Sequence, residues 1–375
     1  MNKRRVVVVA MSGGVDSSMA AVLLKEAGYG VIGATMQIWP GEAPDKDIFG
    51  ACGGLEAIEA AARVAHRLGI PHYVIDLREV FSQKVIADFS REYRLGRTPN
   101  PCIRCNKYIK FGALLRKARE MGADFMATGH YARIDYTPDG YRLLKAIDHS
   151  KDQSYFLYTL GQSELQQLLF PLGNHSKTEI KKEAARLGLP TRHESQDICF
   201  IPDNDLGTFI AHLIPIEPGD IVDTEGNILG KHRGLARFTV GQRQGLGIAS
   251  NERLYVLRLD AAANRLIVGT KEQLLGRALL ADNLSWVSGE APPEGARITA
   301  KIRYQSPEAA AELYFNNGTA EVRFQQPQSA ITPGQAVVGY QGEVVLGGGT
   351  IIEKREGERV AQDFPDTVFC RGRNT

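Results

Sequence analysis

The chain has 375 residues, 43% hydrophobic and 23% charged, with 39 Gly and 17 Pro. That length points to two or three domains, each able to bury a core, and the composition excludes a disordered or fibrous chain. A net charge of +2 is too small to speak for nucleic acid, which is bound by local basic surface rather than by a basic average. No run of about 18 apolar residues occurs, and only a short apolar run follows Arg5, so neither a membrane span nor a signal peptide is expected and the protein reads as cytoplasmic. The five cysteines, Cys52, Cys102, Cys105, Cys199 and Cys370, are odd in number and are expected as thiols rather than as a disulfide framework.

Val6 to Val9 reads as a strand buried on both faces, and Ser17 to Ala27 has helical periodicity ending at Gly28. The alternation continues with a strand at Val31 to Ile38, a helix at Leu55 to Leu68, a strand at His72 to Asp76, a helix at Val80 to Tyr93, a helix after Asn106 and a strand at Phe125 to Thr128. Strands alternating with helices imply an α/β domain with a parallel sheet covered on both faces, and ligands beyond the carboxyl ends of its strands. Lys177 to Leu187 is a further amphipathic helix, with Lys181, Lys182 and Arg186 outward. After Pro202 short β-type runs separated by Gly and Pro take over, which indicates a small β-rich middle domain and a C-terminal β-barrel. The expected division is 1–205, 206–285 and 286–375, with Pro292-Pro293 near the joint between the last two.

The strand at Val6 to Val9 runs into Ser12-Gly13-Gly14-Val15-Asp16-Ser17 and then a helix, an arrangement that gathers backbone N–H groups, hydroxyls and a helix N-terminus around one anion site. The Lys-bearing loop that suits a γ-phosphate is absent from the chain, and the loop is not a dinucleotide fingerprint. It resembles the Ser-Gly-Gly-x-Asp-Ser signature of the PP-loop, or N-type ATP pyrophosphatase, superfamily. The resemblance implies that ATP is cleaved between its α and β phosphates, with the departing pyrophosphate held here while AMP activates an oxygen, and that Asp16 helps to position Mg2+.

Pro99-Asn100-Pro101-Cys102-Ile103-Arg104-Cys105-Asn106-Lys107 is the most distinctive stretch. Read as a loop leading into a helix capped by Asn106, it sets a thiol at a helix N-terminus among basic side chains, which favours the thiolate. A structural zinc site wants four ligands, and no second Cys-x-x-Cys or His pair accompanies this one. Cys199, in Asp197-Ile198-Cys199-Phe200-Ile201, is a second candidate, whereas Cys52 and Cys370 have no comparable context.

With these blocks the chain resembles the tRNA-specific 2-thiouridylase family over essentially its whole length. Further matching blocks are Ala127-Thr128-Gly129-His130-Tyr131, Lys151-Asp152-Gln153-Ser154-Tyr155-Phe156-Leu157 and Thr239-Val240-Gly241-Gln242-Arg243-Gln244-Gly245. The resemblance implies ATP contacts from Ala10, Met11, Ser12, Gly13, Gly14, Val15, Asp16, Ser17, Met36 and Gly129. It implies that Asn100, Pro101 and Cys102 lie against the target base, that Cys105 is the nucleophilic cysteine, that Cys199 carries a persulfide, and that Lys151, Asp152, Gln153, Arg303 and Tyr304 contact tRNA. Expected partners are tRNAs for Lys, Glu and Gln and a cysteine desulfurase or sulfur carrier as donor, with no membrane and no resident metal.

Many relatives carry Asp where this chain has Cys102. Two neighbouring thiols, Cys102 and Cys105, also raise an alternative to the persulfide relay, in which they and Cys199 supply three ligands to a 4Fe–4S cluster. Two further alternatives stay open at this point. One is a PP-loop synthetase acting on a small metabolite, which gives the cysteines no task. The other is a tRNA-binding or sulfur-carrying protein without adenylation chemistry, which gives Asp16 and Ser17 none. The basic residues Arg104, Lys107, Lys110, Arg116, Lys117 and Arg119 form one candidate RNA surface, and Lys177, Lys181, Lys182 and Arg186 another.

Overall fold

The structure, a computed structural model, describes residues 4–39, 54–191, 198–201 and 205–355. Cys52, Cys370, Asp197 and Pro202 lie outside the described residues. The first part of the chain alternates β1 (Val6–Ala10), α1 (Val15–Glu26), β2 (Gly30–Gln37), α2 (Leu55–Leu68) and β3 (His72–Asp76). Next, α3 (Arg78–Phe81) continues through a π-helical turn, Ser82–Ile86, into α4 (Ala87–Arg94). Then α5 (Pro101–Arg104) runs through a π-helical stretch, Cys105–Leu114, into α6 (Leu115–Glu120), and β4 (Phe125–Ala127) follows. The hairpin β5 (Ala132–Thr137) and β6 (Gly140–Lys145), the short α7 (Gln162–Leu165), β7 (Leu168–Leu169) and α8 (Lys177–Arg186) complete this part.

Strands β3-β2-β1-β4-β7 form one parallel sheet. The Val6 to Val9 run supplies its buried centre, with Val7, Val8 and Val9 fully enclosed between helices on both faces. The chain order grows from β1 toward β3 on one side and resumes at β4 on the other, so a switch point lies between β1 and β4. In such a sheet the binding crevice is expected there, at the carboxyl ends of the strands. The glycine loop leaves β1 at that crevice and Thr128-Gly129-His130 leaves β4 beside it.

After α9 (Leu206–Leu213), β8 (Gly219–Val222), β9 (Ile228–His232), β10 (Tyr255–Asp260) and β11 (Arg265–Gly269) make a small sheet in the order β10-β11-β8-β9 over its own apolar cluster. The last unit comprises β12 (Leu275–Trp286), β13 (Ala296–Lys301), β14 (Ala309–Asn316), β15 (Thr319–Ser329), β16 (Ala336–Gln341) and β17 (Val344–Arg355). Antiparallel pairing runs β12-β15-β14-β13-β16-β17, and β12 pairs again with β17, which closes a six-stranded barrel without free edges.

Two expectations shift. The boundary placed at 285/286 falls within β12, and Pro292-Pro293 lies in the connection between two strands of the barrel rather than between domains. The hairpin β5–β6 belongs by sequence to the first unit but extends the barrel sheet through β17. One apolar cluster accordingly joins the two, with Tyr155, Leu157 and Phe200 sharing it with Ala336, Val338 and Tyr340.

Candidate functional site

The loop after β1 is tied down by its own hydroxyls. Met11 N–H donates to Ala34 O at 2.8 Å, and Ser12 N–H donates to Ser17 Oγ at 3.1 Å. Ser17 Oγ and Ser18 Oγ both donate to Gly14 O, at 3.1 and 2.8 Å. Gly13 has φ +73°, and a Cβ there would lie 2.5 Å from Ala60 Cβ, so only glycine lets α2 close on the loop. Helix α1 starts at Val15, two residues earlier than its periodicity suggests, which turns its first-turn N–H groups toward the crevice. Gly129 closes the other wall: a Cβ would come within 2.8 Å of the Asp16 carbonyl carbon and the Ser17 nitrogen. Ala10 ends β1, and Met36 sits on β2, half-buried against the core.

Asp16 does not stand open to a cation. Lys177 Nζ donates to both of its carboxylate oxygens at 2.7 Å, and Tyr131 Oη–H donates to Oδ1 at 3.0 Å. Lys177 is therefore not part of an outward basic face with Lys181, Lys182 and Arg186. It is 8% exposed, anchored by a capping box from Ser176 and Glu179 and by Asp148, which accepts its backbone N–H at 2.9 Å. With its charge matched by an ammonium, Asp16 does not fit a direct Mg2+ ligand.

The cysteine segment also differs from its expected form. The helix begins at Pro101, a favoured first helical residue, and both thiols lie on it rather than ahead of it. Asn106 is not a cap. Its Nδ2 donates to the Phe156 carbonyl at 3.1 Å from inside the π-helical stretch. Cys102 and Cys199 are half-buried, and Cys105 is buried on the same apolar cluster that Cys199 packs against. Among the described residues no group of three or more His, Cys, Asp or Glu side chains is arranged to hold a metal ion. Asn100 and Pro101 are strapped to the later domains through Thr98: its N–H donates to Pro333 O at 2.9 Å, and its carbonyl accepts Gln335 Nε2 at 2.9 Å.

Lys110 links this helix to the crevice, its Nζ lying 3.5 Å from His130 Nε2. An ammonium can only donate, so Nε2 accepts and Nδ1–H donates to Thr128 Oγ1 at 2.7 Å. Burial, reinforced by the Lys110 charge, holds His130 well below the usual imidazole range and keeps it neutral. On the opposite side, His72 Nε2–H donates at 2.8 Å to Thr35 Oγ1, whose own hydrogen goes to Met11 O at 2.9 Å.

The remaining site residues surround this frame. Lys151 is exposed, whereas the Asp152 carboxylate is buried and accepts from Ala146 N, Ser154 N and Ser154 Oγ. Gln153 pairs with Tyr131 through its backbone N–H and its Oε1. Tyr304 lies against Phe156 with ring centroids 4.4 Å apart, while the Arg303 guanidinium turns inward to Val240 O and Thr332 Oγ1. Of the basic stripe, Arg104 pairs with Asp88 at 2.9 Å, and Lys107, Arg116, Lys117 and Arg119 remain exposed.

Sequence reasoning puts Lys177 on an outward basic face, gives Tyr131 no role of its own and misses the His72–Thr35 pair. The one available signal was Lys177 itself: a cation at the first position of a helix opposes the helix dipole and implies a partner elsewhere.

The chain matches three family models in succession. These are the tRNA methyl transferase HUP domain over residues 5–203, the tRNA methyl transferase PRC-barrel domain over 207–270 and the aminomethyltransferase beta-barrel domain over 276–351. A tRNA-specific 2-thiouridylase MnmA of Heliobacterium modesticaldum is 51% identical over 358 residues, 93% of this chain and 93% of that protein. Its namesake in Halothermothrix orenii is 49% identical over 92% of this chain and 99% of its own length. Among solved structures, a 4-thiouridine synthetase–RNA complex with bound ATP aligns over 56% of this chain and 50% of that one, with 17% identity and a TM-score of 0.34.

Proposed function

Because the chain belongs to the tRNA-specific 2-thiouridylase family, we propose that it uses ATP to replace the 2-oxygen of the wobble uridine of tRNA with sulfur. The observation that supports the proposal is that Gly129 lies against Asp16 and Ser17 of the glycine loop and that Lys110, on the helix that begins with Pro101 and Cys102 and runs on through Cys105, reaches His130 beside it. A transferase of methyl groups would have no task for a pyrophosphate loop. A metabolite synthetase would have none for the two cysteine blocks or for the barrel strapped to them.

In this mechanism the base leaves the anticodon stack and enters the crevice. Its O2 attacks the α-phosphorus of ATP, and pyrophosphate departs into the N–H groups of Ser12 to Ser17. Ala10, Met11 and Met36 line the nucleotide, and Lys177 holds Asp16 in place while remaining within reach of phosphate. The oxygen then leaves as AMP when the terminal sulfur of a Cys199 persulfide attacks C2, joining C2 to Cys199 through two sulfurs. The Cys105 thiolate next attacks the Cys199 sulfur. The sulfur–sulfur bond breaks, the electron pair completes the 2-thiocarbonyl, and a Cys105–Cys199 disulfide remains for an external thiol to reduce. Cys102, where many relatives carry Asp, stands against the base with Asn100 and Pro101 and is given no acid–base step. No step runs through a cluster or through Mg2+.

Lys151, Gln153 and Tyr304, with the exposed Lys107, Arg116, Lys117 and Arg119, supply the RNA surface by charge, shape and stacking. The substrates are tRNAs for Lys, Glu and Gln, the donor is a cysteine desulfurase or sulfur carrier, and the setting is the cytoplasm. Among the described residues no helix is long and apolar enough to cross a membrane. A Cys199→Ser protein tests the relay: it should still release pyrophosphate with tRNA and ATP but form no 2-thiouridine, and thiolation by that variant would sink the relay.

A further inference from the structure

We infer that Asn106 reads the Watson–Crick edge of the target base, its Oδ1 accepting the N3–H of uracil. This rests on the tRNA-uridine function proposed above and assigns a specificity contact within it.

Asn106 is 2% exposed. Its Nδ2 donates to the Phe156 carbonyl at 3.1 Å, which settles the amide's orientation, because Oδ1 in that place would face another acceptor. Oδ1 is consequently fixed as a buried acceptor, and it has no hydrogen-bond partner among the described residues. Buried polar atoms are almost always paired, since an unmet one forfeits its hydration for nothing, so an orphan held this firmly calls for a donor from outside the chain.

Its surroundings say what that donor is. Cys105 immediately precedes it, and Cys102 and Lys110 lie four residues to either side, about one turn away. Lys110 reaches His130, which follows Gly129 where that residue lies against Asp16 and Ser17 of the glycine loop. Phe156, whose carbonyl holds the amide, packs against Tyr304 with the rings tilted by 40°. The substrate group that must come between the cysteine helix and the nucleotide is the base, with C2 as the reacting carbon. Uracil carries one ring N–H, at N3, directly bonded to C2. Cytosine has a lone pair at N3 and would meet Oδ1 acceptor to acceptor, leaving two buried acceptors unmet. One amide thus both satisfies itself and rejects cytosine.

The test is a binding cycle with the full chain and three anticodon stem-loop RNAs carrying uridine, cytidine or 3-deazauridine at the wobble position. 3-Deazauridine replaces N3–H by C–H. The wild-type protein should bind the 3-deazauridine RNA about tenfold more weakly than the uridine RNA, and the cytidine RNA more weakly still. In Asn106→Leu the uridine and 3-deazauridine RNAs should differ by less than about twofold, because the acceptor is gone. A purely structural role for Asn106 would lower affinity for all three RNAs alike and leave the 3-deazauridine penalty intact, and that result overturns the inference. If Asn106→Leu does not fold, the wild-type arm decides: equal affinity for uridine and 3-deazauridine overturns it, and a tenfold preference supports it. Formation of 2-thiouridine by the wild-type protein is scored separately, so failure of the function and failure of this contact are distinguishable.

Discussion

Lys177→Met would leave the Asp16 carboxylate in the glycine loop without its counter-ion. In the intact protein the ammonium reaches both oxygens at 2.7 Å, and Lys177 is almost enclosed while the Asp16 side chain is 33% exposed. Removing one partner of a fully buried pair costs about 3–5 kcal/mol. Here water reaches part of Asp16 and Tyr131 keeps its hydrogen bond, so the expected loss is about 1–3 kcal/mol. Asp16→Asn combined with Lys177→Met removes both charges and should be less destabilised than the two single effects summed, by about 1 kcal/mol or more. Urea unfolding followed by tryptophan fluorescence reads this, because Trp39 packs on Phe81 and Phe200 of the first unit and on Phe209 of α9, and Trp286 reports on the barrel. Pyrophosphate release should be lost in both Lys177→Met and the double variant, separating stability from phosphate handling. A Lys177→Met protein as stable as the wild type, or strictly additive effects, would refute the reasoning.

His130 is neutral in the fold, whereas an unfolded imidazole titrates near 6.5. The unfolded chain therefore binds the extra proton, and the stabilisation is complete above that pH. It is lost as pH falls below 6.5, at about 1.4 kcal/mol per unit for one proton, until the folded value is reached. His72 and His232 are lowered in the same direction by burial, so His130→Gln should reduce the acid slope by about one proton without abolishing it. An unchanged slope of stability against pH contradicts the assignment. Gly13→Ala sets a methyl group 2.5 Å from Ala60 Cβ at φ +73° and should weaken ATP binding at least tenfold while tRNA binding is kept. Equal ATP affinity by calorimetry would mean that the loop is not the nucleotide site.

The first sheet was legible in the chain because each signal there is local. Four consecutive β-branched valines ahead of a glycine turn read as a doubly buried strand, and two glycines before a helical run mark a close turn. The barrel was legible as a set of short β runs, but not its extent. That β12 is one strand across residue 285, and that β5–β6 joins β17, are matters of long-range pairing that no local pattern carries. The cysteine helix was misplaced because Asn106 looks like a cap, while Pro101 already satisfies the first turn. Lys177 was misread for a related reason: periodicity assigns faces by polarity, and a lysine whose partner lies 161 residues away counts as surface until the fold is known. The two cysteine blocks were found from their neighbours in sequence. That Cys105 and Cys199 lie on one apolar cluster was not visible there.

The most direct measurement of the central claim is mass analysis of tRNA nucleosides after incubation of the protein with ATP, a persulfide donor and tRNAs for Lys, Glu and Gln, with AMP and pyrophosphate counted in parallel. One 2-thiouridine at the wobble position should accompany each AMP and pyrophosphate released. Pyrophosphate release that does not depend on tRNA, or unmodified uridine after complete ATP turnover, would contradict it.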